Sequence, residues 1–372
     1  MHTELCLDVS LDASVDFIAR KALKQRCHQG LIAHYGVHVP EPVAARLEKE
    51  IAITEKYNRE LYYLLPIYLT EMCKEKDIPL LSGWYAGGSL ILYLCGAVSV
   101  NPLTPHYRCP QCKQAEFVDF KACRSGFDLP NTACPYCKAR RFGDGHHVPF
   151  AFFSGYDGSK VPSYSFLTEI EHERAVLSFL EQKFKNTVSY SKRKYPMQNS
   201  EMRTQLYDML LQLKCRKTET GEPFMEHSIY VPRILRKEDL TGLPRGDMLY
   251  DALNIKKPLV FSDVVQAVGR INSMYETTNN AIVFREDIMT ELMCFGIEPY
   301  SAYRIAETVR KGRADRLSAE DTARMKENGV SEEYLRALKN VRYLCPKTHA
   351  IEWASCFLQI LWYNNKRKGV ST

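Results

Sequence analysis

Apolar residues recur at helical intervals after residue 41, and they predict an amphipathic helix that begins at Glu41-Pro42, where proline suits the first turn. Residues 61–72 are mostly apolar and predict a buried helix. Residues 78–81 predict a short strand. Residues 1–40 carry no clear pattern, so no element is predicted there.

Between residues 160 and 231 the pattern of apolar residues predicts both strands and helices. Residues 160–167 and 227–231 predict strands, and residues 200–214 predict a helix. Thr168 with Glu171 forms a capping-box sequence, which predicts a helix that runs to about Lys185.

Beyond residue 246 the pattern is helical almost throughout. Serines suited to N-caps and glycines suited to helix ends divide this part into successive helices. The predicted caps are Ser262, Ser318 and Ser331, and the predicted ends are Gly296, Gly312 and Gly329.

Two pairs of cysteines have the spacing of a four-thiolate zinc site. The pairs are Cys109-Pro-Gln-Cys112 and Cys134-Pro-Tyr-Cys137. Each Cys-x-x-Cys turn lets two sulfurs reach one ion, and four thiolates close the tetrahedron, so the predicted Zn²⁺ is structural. The alternative is that these are unrelated thiols among the 13 cysteines of the chain, and the spacing favours zinc. His146 and His147 are then expected to be ordinary turn residues, and Cys123 is expected to bind no metal.

Composition adds weaker limits. The 372 residues are enough for two or three domains, and 45% hydrophobic with 25% charged residues is ordinary for a soluble globular protein. The longest apolar run, residues 90–100, is too short to cross a membrane. With no signal peptide and with zinc knuckles, the expected compartment is the cytoplasm, with reduced thiols. The net charge of +6 permits nucleic-acid contact without requiring it.

Three further stretches each allow two interpretations. The glycine-rich turn at 82–89 could present N–H groups to a phosphate, or only connect a strand to a helix. Residues 183–195 interleave basic residues with tyrosines, which suits single-stranded nucleic acid and equally a solvated linker. The breaks at 295–297 and 328–330 resemble hairpins of DNA-binding helix-hairpin-helix motifs, although ordinary helix ends explain them better.

Several blocks together resemble one protein family. They are Asn101-Pro-Leu-Thr-Pro-His-Tyr107, Cys109-Pro-Gln-Cys112, Ser125-Gly-Phe-Asp-Leu-Pro130, Cys134-Pro-Tyr-Cys137, Asp144-Gly-His146, Val148-Pro-Phe150, Asp287-Ile-Met289, Gly296-Ile-Glu-Pro299, Val309-Arg-Lys-Gly312 and Pro346-Lys-Thr-His-Ala350. In order and spacing they resemble the C-family replicative DNA polymerases of the PolC type, the DNA polymerase III alpha subunits. The resemblance covers roughly residues 42–170 and 247–364.

The resemblance implies an α+β, predominantly helical fold in three parts. Residues 1–170 would be a palm-like remnant with a small sheet, carrying the zinc-binding insertion at 104–149. Residues 171–246 would be a shortened middle region, and residues 247–372 an all-helical, fingers-like domain.

The catalytic positions depart from the family. The family holds two divalent metals with acids on a strand written Val-Pro-Asp-x-Asp, and here both acid positions are serine, Ser163 and Ser165. A serine hydroxyl is a far weaker magnesium ligand than a carboxylate, so Mg²⁺ is not expected. The arginine of the family's phosphate-binding loop is replaced by Gly83.

Cationic positions of the family are retained. By resemblance, Arg310, Lys311 and Lys347 stand where the family places cations near the incoming nucleotide, and His349 keeps its place beside them. Trp353 replaces the family's tyrosine in the same block.

Three hypotheses follow. The first is a catalytically inactive polymerase relative that binds primed or single-stranded DNA, replication proteins or both. The second is a pure protein-interaction module. The third is an active polymerase, either one half of a split enzyme or one with a metal site rebuilt elsewhere, for which the available acids are Asp208, Asp239, Asp247 and Asp251. The selective loss of the metal-binding acids favours the first and argues against an enzyme.

Overall fold

The architecture is α+β and mainly helical. The computed structural model describes residues 2–9, 16–82, 86–119, 123–161, 164–184, 188–192, 197–221, 231, 235–253, 259–277 and 282–368. Within these ranges the chain forms fourteen α-helices and ten strands.

The strands are short. They are β1 (His2–Val9), β2 (Leu81–Ser82), β3 (His106–Arg108), β4 (Ala115–Phe117), β5 (Thr132–Ala133), β6 (Arg140–Asp144), β7 (Tyr164–Glu169), β8 (Val188–Lys192), β9 (Met274–Tyr275) and β10 (Val341–Tyr343).

The helices flank the strands in the first half and dominate the second half. They are α1 (Asp16–Tyr35), α2 (Glu41–Lys56), α3 (Glu60–Glu75), α4 (Leu90–Leu94), α5 (Ala151–Ser154), α6 (Glu173–Phe184), α7 (Met197–Thr220), α8 (Gly246–Leu253), α9 (Phe261–Ile271), α10 (Arg285–Cys294), α11 (Pro299–Val309), α12 (Ala319–Glu327), α13 (Glu332–Asn340) and α14 (Lys347–Arg367).

The main sheet has the strand order β2-β7-β1-β8, and all its pairs are antiparallel. Leu5 of β1 lies opposite Phe166 of β7, and both side chains are fully buried in the core that the first helices share. Because side chains alternate along a strand, Ser165 of β7 points to the other face of the sheet from Phe166.

The second sheet is a ribbon of two hairpins, in the order β4-β3-β6-β5. A buried network fastens it to α4: Asp144 accepts a hydrogen bond of 2.7 Å from the Tyr93 hydroxyl and pairs with Arg108 at 3.0 Å. Although burial opposes ionisation, the Arg108 charge holds the pKa of Asp144 well below its usual range. The ribbon is therefore held rigidly against the helices.

The helical half contains two cores. One lies around α14, whose buried Trp353 and Phe357 pack among α7, α8 and α9. The other is formed mainly by α10 to α13, where Ile288, Ile305 and Leu338 are buried. Strand β9 precedes α10 and strand β10 follows α13, and the pairing of the two strands brings the ends of the α10–α13 segment together.

Most predicted helices are confirmed, including those predicted from residue 41 onwards and over residues 61–72 and 200–214, those capped by Ser318 and Ser331, and those that end before Gly296, Gly312 and Gly329. The capping box at Ser318 is confirmed, because its hydroxyl accepts from the Asp321 N–H at 3.0 Å. The predicted strand at 227–231 falls mainly outside the described residues.

Three predictions were wrong or incomplete. Thr168 does not begin a helix: it lies in β7 and donates its hydroxyl to the Pro79 carbonyl at 3.1 Å, so α6 starts only at Glu173. The cap of α9 is Val260, whose N–H donates to the Asp263 carboxylate, and not Ser262. Residues 1–40, for which no element was predicted, contain β1 and α1.

None of the helices in the described residues is both long and apolar enough to span a bilayer.

Candidate metal centre and cationic site

The four knuckle cysteines converge. Their sulfurs all lie within 4.8 Å of one another. The Cys109–Cys137 and Cys112–Cys134 Sγ atoms are each 3.5 Å apart. Thiolates at about 2.3 Å from one zinc ion would be separated by about 3.8 Å, so the four sulfurs have the spacing of a tetrahedral metal site.

Both knuckles have the same backbone geometry. In each, the lysine after the second cysteine donates its N–H to the carbonyl of the first: Lys113 to Cys109 at 3.1 Å, and Lys138 to Cys134 at 3.0 Å. The two lysines have φ of +64° and +63°, and this left-handed conformation turns the chain back into the next strand. The knuckles thus close the β3–β4 and β5–β6 hairpins.

The environment of Cys134 favours a thiolate. Burial acts against ionisation, yet hydrogen bonds from the backbone N–H groups of Cys137 and Tyr136 lower the pKa of this thiol to about 6. Such a cluster could hold a soft divalent metal such as zinc.

Cys123 and His146 lie outside the cysteine cluster, as predicted. The Cys123 thiol contacts the Ser125 carbonyl at 2.8 Å. His146 is not an ordinary turn residue, because it is 1% exposed and its Nδ1 lies 3.0 Å from the Ser125 hydroxyl.

Of the two serine positions, Ser165 lies within the described residues. Gly83 and Ser163 lie outside them, and Ser165 lies opposite Cys6 in the sheet. Within the described part of the chain, two groups of three or more metal-binding side chains converge: the four cysteines, and Glu169 with Glu171 and His172 at the end of β7. Neither group includes Asp208, Asp239, Asp247 or Asp251.

The glycine-rich turn leads into the N-terminus of α4, whose N–H groups already bind a carboxylate. The carboxylate of Glu50 accepts hydrogen bonds from the Leu90 and Ile91 N–H groups at 2.9 and 3.2 Å, and from the Ser89 hydroxyl at 2.8 Å. Arg46 neutralises it at 2.6 Å. The start of α4 therefore binds a carboxylate of its own chain, and the turn connects elements.

The contacts at the two helix breaks, 295–297 and 328–330, also support the interpretation as ordinary helix ends. The carboxylate of Glu298 caps α11 by accepting from the Tyr300 and Ser301 N–H groups, each at 2.9 Å. Ser331 caps α13, whose first turn carries two glutamates. A negative charge at a helix N-terminus repels phosphate, so these hairpins lack the electrostatics of a phosphate site.

Arg310 and Lys311 lie at the end of α11 in a cluster that also contains Arg285, Glu307 and Lys160. Glu307 pairs with Arg285 at 2.5 Å and with Arg310 at 3.0 Å. Despite burial, these two arginines hold the pKa of Glu307 below its usual value. We call these five residues the cationic cluster: it contains four basic residues and one acid. A second acid, the buried Glu286, lies beside it, with a carboxylate oxygen 3.2 Å from the Arg285 Nε.

Lys160 and Arg285 were not identified from the sequence as members of the cationic cluster. The Lys160 Nζ donates to the Phe152 carbonyl at 3.0 Å. Although the residue as a whole is exposed, burial of its ammonium group, reinforced by the charge of Arg285 and others, lowers the pKa of Lys160 to about 8. Lys160 lies four residues before Tyr164, the first residue of β7.

Lys347 and His349 lie at the start of α14, and both are buried. Lys347 is paired with Asp287 at 2.8 Å. It lines a small cleft together with Arg124, Ser125, His146, Phe261, Ser262, Val265, Gln266, Asp287 and Ile351. Arg310 and Lys311 do not line this cleft. Helix α10 connects the two groups, because its Arg285 pairs with Glu307 beside Arg310 and its Asp287 pairs with Lys347.

Comparisons with known sequences give matches to one kind of protein. The family model described as the bacterial DNA polymerase III alpha NTPase domain matches residues 21–203. The DNA polymerase III PolC-type of Clostridium perfringens is 26% identical, over 88% of this chain and 31% of that protein. The proteins of the same name from Thermotoga maritima and Bacillus subtilis are each 25% identical, over 94% and 93% of this chain and 34% and 32% of theirs.

By these matches the chain is a relative of the PolC-type DNA polymerases III, with about 25% identity over most of its length. It spans about a third of the length of the relatives it matches. The alignment to the Thermotoga maritima protein extends over 469 positions, more than the 372 residues here, so that relative has additional residues within the matched region.

Proposed function

We propose that this chain is a PolC-like polymerase relative that binds DNA without copying it. The observation that carries the proposal is the replacement of both metal-binding acids of the family's strand, at Ser163 and Ser165. The acids that the described residues gather near β7, Glu169 and Glu171 with His172, lie at the end of the strand, four residues or more beyond Ser165. Copying DNA requires two divalent ions about 4 Å apart on clustered carboxylates, and serine hydroxyls do not replace them. On this proposal the protein is not an enzyme and uses no Mg²⁺.

The retained cations supply the binding. The cationic cluster has an excess of positive charge next to the polymerase-like strand, and phosphate is the anion that the family handles at the corresponding residues. Lys347 contributes less to this charge, because Asp287 neutralises it.

The remaining parts keep structural roles. We propose that residues 1–170 are the palm-like part, 171–246 a shortened middle region and 247–372 the fingers-like part. The four cysteines bind one Zn²⁺ that fixes the ribbon, and the free thiols suit a reducing cytoplasm.

Two assays test this function. Primer extension with Mg²⁺ or Mn²⁺ should give no nucleotide incorporation. Incorporation that Asp208→Ala abolishes would establish an active polymerase with a rebuilt site. Incorporation that occurs only after partner chains are added would indicate a split enzyme.

Binding to labelled primed DNA should be measurable at low salt and should weaken steeply as salt rises, by about 0.9 log unit per log unit of salt for each phosphate contacted. The double substitution Arg310→Ala with Lys311→Ala should weaken binding and reduce this slope. Lys339→Ala, an exposed lysine on α13, is the matched control and should change neither.

A protein-interaction module is the second candidate. The carboxylates of Glu50 and Glu298 at two helix N-termini favour it, because both positions would otherwise attract phosphate. Absence of DNA binding at low salt would select this candidate over the first.

A further inference from the structure

Four aromatic rings form a row from the interior to the surface. Phe152, which is 2% exposed, contacts Tyr303 with ring centroids 5.4 Å apart. Tyr303 contacts Tyr156 at 5.8 Å, and Tyr156 contacts Tyr300 at 5.1 Å. The last two rings are 38% and 51% exposed, so their surfaces are accessible at the outer end of the row.

The inner end of the row lies in the cationic cluster. The guanidinium carbon of Arg285 is 4.6 Å from the centroid of the Phe152 ring. Lys160 donates its ammonium to the carbonyl of the same phenylalanine. The row of rings therefore has positive charge at its inner end and exposed aromatic surface at its outer end, and the ring contacts between them are continuous.

The acids near the exposed rings are already engaged. Asp157 accepts hydrogen bonds from the N–H and the hydroxyl of Ser159 at 2.9 and 2.7 Å. Glu298 accepts from the backbone of Tyr300 itself. These carboxylates make the outer end of the row unfavourable for phosphates, whereas an uncharged base can lie against the rings there.

This arrangement matches single-stranded nucleic acid, which offers alternating phosphates and unpaired bases. A base stacks on an exposed aromatic ring without regard to its sequence, while the backbone follows nearby cations. A duplex offers the same phosphates but keeps its bases stacked on each other, and an acidic peptide offers charge without flat rings.

We propose that Tyr156 and Tyr300 are a stacking platform for unpaired bases of single-stranded nucleic acid, whose phosphates bind Lys160, Arg310 and Lys311. The proposal rests on the DNA-binding function proposed above and specifies which form of DNA is bound and by which side chains. The platform combines residues from the segment before β7 and from α11, so it exists only in the folded chain.

The test uses the full chain and fluorescence anisotropy with three probes of about 12 nucleotides. They are an oligothymidine, an abasic strand with the same phosphates, and a duplex. The wild-type protein should bind the oligothymidine more tightly than the abasic strand. Tyr156→Leu and Tyr300→Leu should each weaken oligothymidine binding by about 5- to 150-fold and leave the abasic strand unaffected.

Two variants control for structure. Tyr300→Phe keeps the ring and should retain oligothymidine affinity. Phe17→Leu removes an aromatic ring that is 78% exposed at the start of α1 and should change no affinity. Both tyrosines are accessible, so thermal unfolding of the leucine variants should match that of the wild type.

The outcomes separate the two proposals. Equal affinity for oligothymidine and the abasic strand, unchanged by either leucine substitution, would overturn the stacking platform and leave DNA binding intact. Tighter binding of the duplex than of the oligothymidine would also overturn it. Failure to bind all three probes would reject the DNA-binding function itself.

Discussion

The carboxylate of Glu50, in α2, accepts a hydrogen bond of 2.9 Å from the backbone N–H of Leu90, the first residue of α4. This contact places a negative charge at the end of the glycine-rich turn, where a phosphate-binding loop would leave the helix N-terminus open. The carboxylate is fully buried and paired with Arg46. An internal ion pair, Glu50 with Arg46, therefore occupies the N-terminus of α4.

Removing the Glu50 carboxylate should destabilise the protein strongly. Glu50→Ala leaves the Arg46 charge and the N–H groups of Leu90 and Ile91 without their partner, and breaking a buried pair in this way costs about 3–5 kcal/mol. Urea denaturation measures the free energy of unfolding. Glu48→Ala, an exposed position on the same helix, is the control and should change it by about 0.5 kcal/mol or less. Equal effects of the two substitutions would show that the buried contact is not stabilising.

The four-cysteine cluster should contain one zinc ion per chain. Cys137→Ser should abolish zinc binding, since a three-thiolate site loses its closed tetrahedron. Metal analysis of protein purified under reducing conditions measures the zinc content directly.

Loss of zinc should unfold the loop between the two knuckles, residues 113–133, and leave the helical cores folded, because that loop is rich in polar and small residues and depends on the metal in place of a hydrophobic core. Proteolysis should then cut within this loop. Cys123→Ser changes a thiol in the same loop that lies outside the cluster, and it should retain both zinc and protease resistance. Zinc-free wild-type protein with an intact loop would contradict this assignment.

Acid should destabilise the protein through His146. Burial lowers the pKa of this imidazole to about 4, and the Lys347 charge acts in the same direction. In the unfolded chain the pKa is about 6.5, so the unfolded state binds a proton first as pH falls. The contribution of neutral His146 is fully present above pH 6.5 and is lost as pH falls towards 4, about 3 kcal/mol in all.

The measurement is the free energy of unfolding at several pH values across this window, for the wild type and for His146→Phe. The variant should have a smaller pH dependence, by up to one proton, since it has no imidazole to titrate. Protonation of the zinc ligands affects both proteins and cancels in the difference. Parallel pH dependences would show that His146 does not titrate abnormally.

Arg59 should control the position of the segment that leads into β7. Its guanidinium donates to the carbonyls of Gly158, Ser159 and Lys160 at distances of 2.6 to 2.8 Å and is almost completely buried. Arg59→Ala leaves these carbonyls unpaired and should cost about 2–3 kcal/mol of stability.

Because Lys160 then loses its support, the same variant should bind DNA more weakly. Arg59→Lys keeps the charge but lacks the branched set of donors, so it should recover only part of the stability. Calorimetry and DNA titration measure the two effects. Full stability in the lysine variant would show that charge alone, and not the three hydrogen bonds, holds the segment.

Local patterns predicted the convergence of the four cysteines and most helices correctly. The spacing of Cys109, Cys112, Cys134 and Cys137 identifies a cluster because each pair lies in a turn of fixed geometry. The caps at Ser318 and Ser331 were equally clear, since a cap involves only neighbours within one turn. The serines at 163 and 165 are also a fact of the sequence, and that they replace two acids is what the family resemblance implies.

Long-range contacts could not be predicted in this way. Strand β1 has no distinctive alternation, and it is a strand because β7 and β8, far along the chain, pair with both its edges. Thr168 satisfies a local capping rule but lies in β7, because pairing with β1 outweighs a single cap.

The sequence by itself determined which chemistry the chain has kept: a thiolate cluster, and cations without the catalytic acids of its family. Only the tertiary structure decided where that chemistry acts. It buried Glu50 at the start of α4, paired Lys347 with Asp287, and brought Lys160 near Arg285 and a row of aromatic rings. The physical reason is that charges and rings act over a few ångströms of space, and segments distant in sequence are brought within that range only by packing of the folded core.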